Sequence, residues 1–222
     1  MPSSESTLQR HDLVWLDEAR WRDALQAPLR ESAVAALSTW FERGRPAVVR
    51  RRESAGGGAL YLGVALPPTC TDRKVPLVLD PGTVTRTSPP LSLDAVIRSA
   101  PSSWRPPLVQ LATEANAIGI DLRVYGSLAW QHLSGEQYLT ASSDVDLLWR
   151  APDRATLEHM LGYLANWQRA GGIPADGEVL FPQGMAVAWK ELAQRPRQLL
   201  VKRSDRVELR SLDDVLSLAA PC

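Results

Sequence analysis

The stretch "YGSLAWQHLSGEQYLTASSDVDLLWR", residues 125–150, decides how this chain is read. Two carboxylates, Asp144 and Asp146, stand at alternate positions in an otherwise apolar, strand-like segment, and a Gly-Ser pair, Gly126 and Ser127, precedes them. Residues two apart on a strand face the same side, about 7 Å from one another along the backbone. The two aspartates therefore project together while Val145 and Leu147 face the opposite way. Two ionised carboxylates beside Leu148 repel each other and resist desolvation unless cations or solvent meet them. A divalent cation resolves that conflict. Mg²⁺ prefers hard oxygen ligands, commonly one or two carboxylates with water and substrate phosphates, so the pair suits metal-assisted phosphoryl or nucleotidyl transfer.

The Gly-Ser pair supplies the complementary part. Gly126 ends a strand, "DLRVYGS", and Ser127 opens the next helix, "SLAWQHLSG", whose free N–H groups and positive dipole end attract phosphate. Either motif alone is more often structural, a helix cap or an exposed edge-strand pair. Together, in the order strand, helix, strand, they favour chemistry.

Outward from this centre the C-terminal part alternates helix and strand signals. Ser92 caps a short helix in "LSLDAVIRSAP", and "PPLVQLATEANAIGI" makes a longer one with proline in its first turn. "DRATLEHMLGYLANWQRAGG" is amphipathic, with Leu157, Met160, Leu161 and Leu164 in one stripe, Asp153 as cap and Gly171-Gly172 as stop. "GEVLFPQGMAVAW" reads as a hairpin about Pro182-Gln183-Gly184, "QLLVKR" and "RVELR" as strands, and "SLDDVLSL" as a closing helix. Toward the N-terminus, Asp17 to Gly44 reads as helical, followed by the strand-like runs "PAVVRRR", "ALYLGVAL" and "VPLVLD" and a flexible "ESAGGGA" between the first two. "DPGTVTRTSPPLS" is the expected linker. The expectation is an α+β protein with a boundary near Ser88: an N-terminal domain over 1–88 and a catalytic domain over 89–222, the latter with a mixed or antiparallel sheet.

Composition narrows the partners. The chain has 222 residues, 45% hydrophobic and 23% charged, with zero formal net charge. That balance gives no reason to expect nucleic-acid binding by bulk attraction to phosphates, so any anion site must be local. Two cysteines, without CxxC or a Cys/His cluster at zinc-ligand spacing, fit a protein of the reducing cytoplasm. No apolar run is long enough to span a bilayer, so no membrane partner is expected. His11, His132 and His159 lack metal-ligand spacing, and the tryptophans suit a core. Arg50-Arg51-Arg52 is either a solvated strand end or an arm that receives a polyanionic substrate.

The ordered set "RHDLVWL", "RPAVVRR", "YGSLAWQHLSG", "SDVDLLWR", "FPQGMAVAWKE" and "LLVK" resembles the phosphoribosyl-dephospho-CoA transferase of malonate decarboxylase, its holo-acyl-carrier-protein synthase, across nearly the whole chain. The Gly-Ser turn and DxD strand also resemble the wider nucleotidyltransferase superfamily, which implies a nucleotidyltransferase-like mixed sheet with flanking helices. The resemblance implies transfer of phosphoribosyl-dephospho-CoA from triphosphoribosyl-dephospho-CoA to a serine of the decarboxylase's acyl-carrier protein, with loss of diphosphate. Carried over by position, Asp144 and Asp146 would bind Mg²⁺, Gly126 and Ser127 would hold phosphates, and Asp176 in "PADGEV" would be the third carboxylate. Its neighbour Glu178 competes for that last role, since residues two apart share a strand face. Lys202 is the candidate triphosphate contact, with Arg50 and Arg51 as further substrate-binding candidates. Two other readings stay open: a nucleotidyltransferase that uses ATP or another nucleoside triphosphate, and a non-catalytic phosphate-binding module.

Overall fold

The computed structural model describes residues 8–17, 20–51 and 58–219. Contacts divide the chain into two compact units, Met1–Pro90 and Leu91–Cys222. Residues 53–57 of the glycine-rich "ESAGGGA", together with Arg52, lie outside the described residues.

The N-terminal unit contains β1 (Leu13–Leu16), α1 (Glu31–Glu42), β2 (Ala47–Val49), β3 (Leu60–Ala65), β4 (Lys74–Leu79) and β5 (Val84–Ser88). Its five strands form an antiparallel sheet in the order β4-β3-β2-β1-β5. Helix α1 buries Ala33, Leu37, Trp40 and Phe41, a stripe at three- and four-residue spacing. The Trp40 indole N–H donates to the Pro46 carbonyl at 3.0 Å, which ties the helix to the entry of β2.

Two expectations fail here. The described part of the segment before α1 is not α-helical: "WRDALQ" forms turns, Trp21 is buried, and Leu25 bridges to Leu77. Pro28 disfavours the helical region for the residue before it and cannot donate to a continuing helix, so the helix starts only at Glu31. Second, "DPGTVTRTSPPLS" is not a structureless linker. Its β-branched Val84, Thr85 and Thr87 make β5, which pairs with β1, while Asp80 caps a 3₁₀ turn by accepting from Gly82 N–H at 2.8 Å.

The C-terminal unit runs β6 (Leu91–Ser92), α2 (Leu93–Val96), α3 (Arg105–Ala117), β7 (Arg123–Tyr125), α4 (Gly126–Ser134), β8 (Val145–Trp149), α5 (Arg154–Arg169), β9 (Ala175–Phe181), β10 (Met185–Ala188), α6 (Trp189–Ala193), β11 (Gln198–Lys202), β12 (Val207–Ser211) and α7 (Leu212–Ser217). Its seven-stranded sheet has the order β12-β11-β10-β9-β8-β7-β6. The β8–β9 pair is parallel, joined through α5, and the other pairs are antiparallel, so the sheet is mixed. The fold is α+β.

Local chemistry sets the ends of these elements. Asp153 accepts from Thr156 N–H at 2.8 Å at the start of α5, and Ser211 accepts from Asp214 N–H at 3.1 Å at the start of α7. Gly135 closes α4 in the left-handed region at φ 74°. One sheet face carries the core: Val124, Val145, Leu147, Trp149, Val179 and Val201 pack with Leu157, Met160 and Leu164 of α5 and with Leu108 and Leu111 of α3. The other face carries the site.

Candidate active site

Register places the site. Cross-strand partners share a sheet face, and Tyr125 pairs with Asp146, which in turn pairs with Asp176 across the parallel β8–β9 junction. A second row on the same face runs Arg123, Leu148, Glu178 and Ala188, and a third runs Leu180, Ala186, Lys202 and Val207. Val145 and Leu147 face the core, as alternation requires. Asp144 lies one residue before β8, half-buried like Asp146. Leu148 and Ala186 are buried yet stand apart from the main core, because they belong to the site face.

Two glycines make this geometry possible. Gly126 has φ +67°, and a Cβ there would fall 1.8 Å from the Asp146 Oδ2 atom, so the carboxylate rests against the glycine at the head of α4. Gly177 has φ +130°, and its Cβ would fall 1.9 Å from the Leu147 carbonyl oxygen. The missing side chain lets β9 close on β8 between the two acidic positions of "DGE". Ser127 follows Gly126 in the first turn of α4, half-buried.

The electrostatics are those of crowded acids. Burial pushes the Asp146 carboxyl up to about 7, and the neighbouring carboxylates of Asp144, Asp176 and Glu178 push in the same direction. Asp176 is exposed, and its Oδ1 accepts from the N–H of Gly177 at 2.8 Å. Glu178 is buried, with 5% of its side chain exposed, and accepts from Lys202 Nζ at 2.9 Å. Lys202 keeps 34% exposure, so its ammonium neutralises a buried acid while remaining open to solvent.

Thus the C-terminal unit brings together Gly126, Ser127, Asp144, Asp146, Asp176, Glu178 and Lys202. Arg50 and Arg51 belong to the N-terminal unit, directly after β2, where Arg50 N–H donates to the Tyr61 carbonyl at 2.9 Å. Sequence reading passed over Arg123 and Tyr125, which stand two apart on β7 and share the site face. Alternation in "DLRVYGS" carried that signal. Arg123 Nε donates to Asp121 at 2.8 Å. His132 and His159 lie away from this face, bonded to Ser99 and Glu114.

A family model described as the phosphoribosyl-dephospho-CoA transferase MdcG C-terminal domain matches residues 92–213, and one for the MdcG N-terminal domain matches residues 9–90. The chain belongs to the phosphoribosyl-dephospho-CoA transferase family. A phosphoribosyl-dephospho-CoA transferase of Xanthomonas campestris is 40% identical over 201 residues, covering 90% of this chain and 92% of that protein. The same-named protein of Bradyrhizobium diazoefficiens is 34% identical over 200 residues, covering 90% and 88%. No solved structure matches the chain. As a member of the phosphoribosyl-dephospho-CoA transferase family the chain is a transferase, and the whole row from Gly126 to Lys202 falls within the C-terminal family domain. No described helix is long and apolar enough to cross a membrane.

Proposed function

We propose that the chain transfers the phosphoribosyl-dephospho-CoA group from triphosphoribosyl-dephospho-CoA to a serine of the acyl-carrier subunit of malonate decarboxylase, in the cytoplasm. The observation that carries the reading is the Asp146–Asp176 pairing across the parallel junction, with the head of α4 pressed against the Asp146 carboxylate. The serine Oγ attacks the α-phosphorus, the bond to the bridging oxygen of the β-phosphate breaks, and diphosphate leaves. The serine proton passes to a carboxylate, and the exposure of Asp176 supports it in that role. Ser127 and the N–H groups of α4 hold phosphate oxygens, and Lys202 meets the triphosphate from the same face.

The donor set fits Mg²⁺. Among the described residues no three Asp, Glu, His or Cys side chains form a ready-made cage, but Mg²⁺ is commonly held by one or two carboxylates and completed by water and substrate phosphate. Asp144, Asp146 and Asp176 would hold it, since burial and the nearby carboxylates of Asp144 and Asp176 raise the Asp146 carboxyl and a cation would relieve that cost. When bound, it supplies charge neutralisation for the phosphates.

The test is mass spectrometry of the purified acyl-carrier protein after incubation with enzyme, Mg²⁺ and either triphosphoribosyl-dephospho-CoA or ATP. The expected result is a mass gain of one phosphoribosyl-dephospho-CoA group and no adenylate. Labelling from ATP alone would replace this reading with nucleotidyl transfer, and no labelling from either would leave a phosphate-binding module.

A further inference from the structure

Helix α4 does more than present Gly126 and Ser127. Gln131, half-buried in its second turn, joins three backbone groups with one side-chain amide. Its Nε2 donates to the Ser99 carbonyl at 2.6 Å, and its Oε1 accepts from the N–H groups of Tyr138 and Leu139, each at 3.1 Å. Ser99 ends the 3₁₀ turn that follows α2, and its Oγ lies 2.9 Å from Nδ1 of His132, the next residue of α4. Tyr138 and Leu139 belong to residues 135–144, the connection between α4 and β8, which contains neither helix nor strand.

That connection ends on Asp144. The ladder of β8 begins only at Val145, so strand pairing holds the residue after Asp144 and not Asp144 itself. Just before it, Ser143 N–H donates to the Thr140 carbonyl at 3.1 Å, and Thr140 N–H donates to Ser143 Oγ at 2.9 Å, which closes residues 140–143 into a tight turn. Gly135, Glu136, Gln137 and Thr140 are exposed, whereas Tyr138 and Leu139 are buried at 4% each. Their N–H groups need acceptors inside the protein, and an amide is the neutral side chain that accepts from them with its oxygen while its nitrogen donates to a carbonyl. The head of α4 touches the Asp146 carboxylate through Gly126, and the same helix, through Gln131, grips the segment that leads into Asp144.

Taking the transfer reading above as its basis, we propose that Gln131 is a positioning residue for the reaction: by tying Tyr138 and Leu139 to α4 and α4 to Ser99, it holds the connection that sets Asp144 beside Asp146. A connection of this length samples many conformations when it is untied, and a reacting group displaced by about 1 Å can lose about 10²-fold in rate. One rigid helix thereby governs both aspartates, one through its first residue and the other through a side chain in its second turn. Gln131 itself touches no substrate, so its effect must pass through Asp144.

Two measurements that require no turnover test this apart from the transfer reading. Amide hydrogen exchange at Tyr138 and Leu139 is expected to quicken about tenfold or more in Gln131→Leu, while the amides of α5 keep their wild-type protection. Calorimetric affinity for triphosphoribosyl-dephospho-CoA in the presence of Mg²⁺ is expected to fall about tenfold in Gln131→Leu, yet less than about twofold when the same substitution is made in Asp144→Asn, because the two residues act as one unit. Gln131→Glu keeps an acceptor for the two N–H groups and loses the donor to Ser99, so it should fall between wild type and Gln131→Leu in both measurements. Ser211→Ala, which removes the cap of α7 in the same unit, should change neither, and thermal melts check that every variant is folded. Unchanged exchange at Tyr138 and Leu139 overturns the proposal, as does an equal loss of affinity from Gln131→Leu with and without Asp144, or a donor affinity that neither substitution alters. A coupled pair in an enzyme that binds the donor but transfers nothing would refute the transfer reading alone.

Discussion

The five-stranded sheet of the N-terminal unit and the seven-stranded sheet of the C-terminal unit are both built from short strands with one face packed under helix, yet they treat charge differently. In the first, the recorded pairs are antiparallel, and no polar or charged side chain among the described residues is buried. In the second, a single parallel junction interrupts the antiparallel pattern, and there Glu178 is buried, Asp146 is half-buried and Asp176 is its direct neighbour. A parallel pair connected through a helix brings two strand beginnings to the same edge, so acids early in β8 and β9 meet. Antiparallel neighbours bring a beginning against an end. The difference teaches that the C-terminal sheet gives up local stability at one junction, where concentrated negative charge serves chemistry.

The strongest attempt to break that comparison targets the junction acids. Asp146→Ala and Asp176→Asn are each expected to lower single-turnover transfer by about 10²–10⁴-fold while the fold survives, whereas Glu178→Gln should cost much less. A dead Glu178→Gln enzyme beside an active Asp176→Asn enzyme would assign the third carboxylate to Glu178.

Glycines sharpen it further. Gly177→Ala must take a left-handed backbone and drive a methyl into the Leu147 carbonyl, for a combined cost of about 3 kcal/mol in urea unfolding. Gly44→Ala in the N-terminal unit also needs positive φ, at +64°, but meets no atom within 4 Å, so about 1 kcal/mol is expected. Equal losses would show that the junction is no more closely packed than an open turn.

The buried pair should respond asymmetrically. Lys202→Met leaves the Glu178 carboxylate buried without its cation, expected to cost about 1–3 kcal/mol once solvent access to Lys202 is allowed for. Glu178→Gln leaves only a solvated ammonium and should cost less than about 1 kcal/mol. The reverse order in chemical denaturation would mean that Glu178 is not charged in the folded protein.

The smallest effect is in pH. Asp146 has its folded-state carboxyl raised from 3.8 to about 7, so its share of stability is present in full below pH 4 and is lost as pH rises through 7. Without metal, the melting temperature of Asp146→Asn relative to wild type should therefore climb between pH 4 and pH 8, and Mg²⁺ should narrow the gap at pH 8. A gap that does not change with pH would show that burial and the neighbouring acids do not raise the Asp146 carboxyl.

Much of this was legible from local pattern. The stripe of α5, its Asp153 cap, the Pro182-Gln183-Gly184 turn and the strands of "QLLVKR" and "RVELR" all depend on neighbours within a few residues, and they fold as read. Strand β1 in "DLVWL" and strand β5 in the expected linker were not legible, because β1 pairs with β2 and β5 at separations of dozens of residues. Tertiary pairing overrode the proline and hydroxyl signals there.

The sequence by itself determined the strand, helix and strand around "YGS" and "DVD", the alternation that turns Asp146 away from Val145 and Leu147, and the membership of a transferase family, since periodicity and motif order are properties of short stretches. Only the tertiary structure decided that Asp146 stands opposite Asp176, that its carboxylate rests on Gly126, and that Lys202 meets Glu178 rather than solvent alone. Those relations join residues 20 to 30 positions apart, and register between strands is fixed by which side chains fill the core beneath them, a constraint that no local stretch contains.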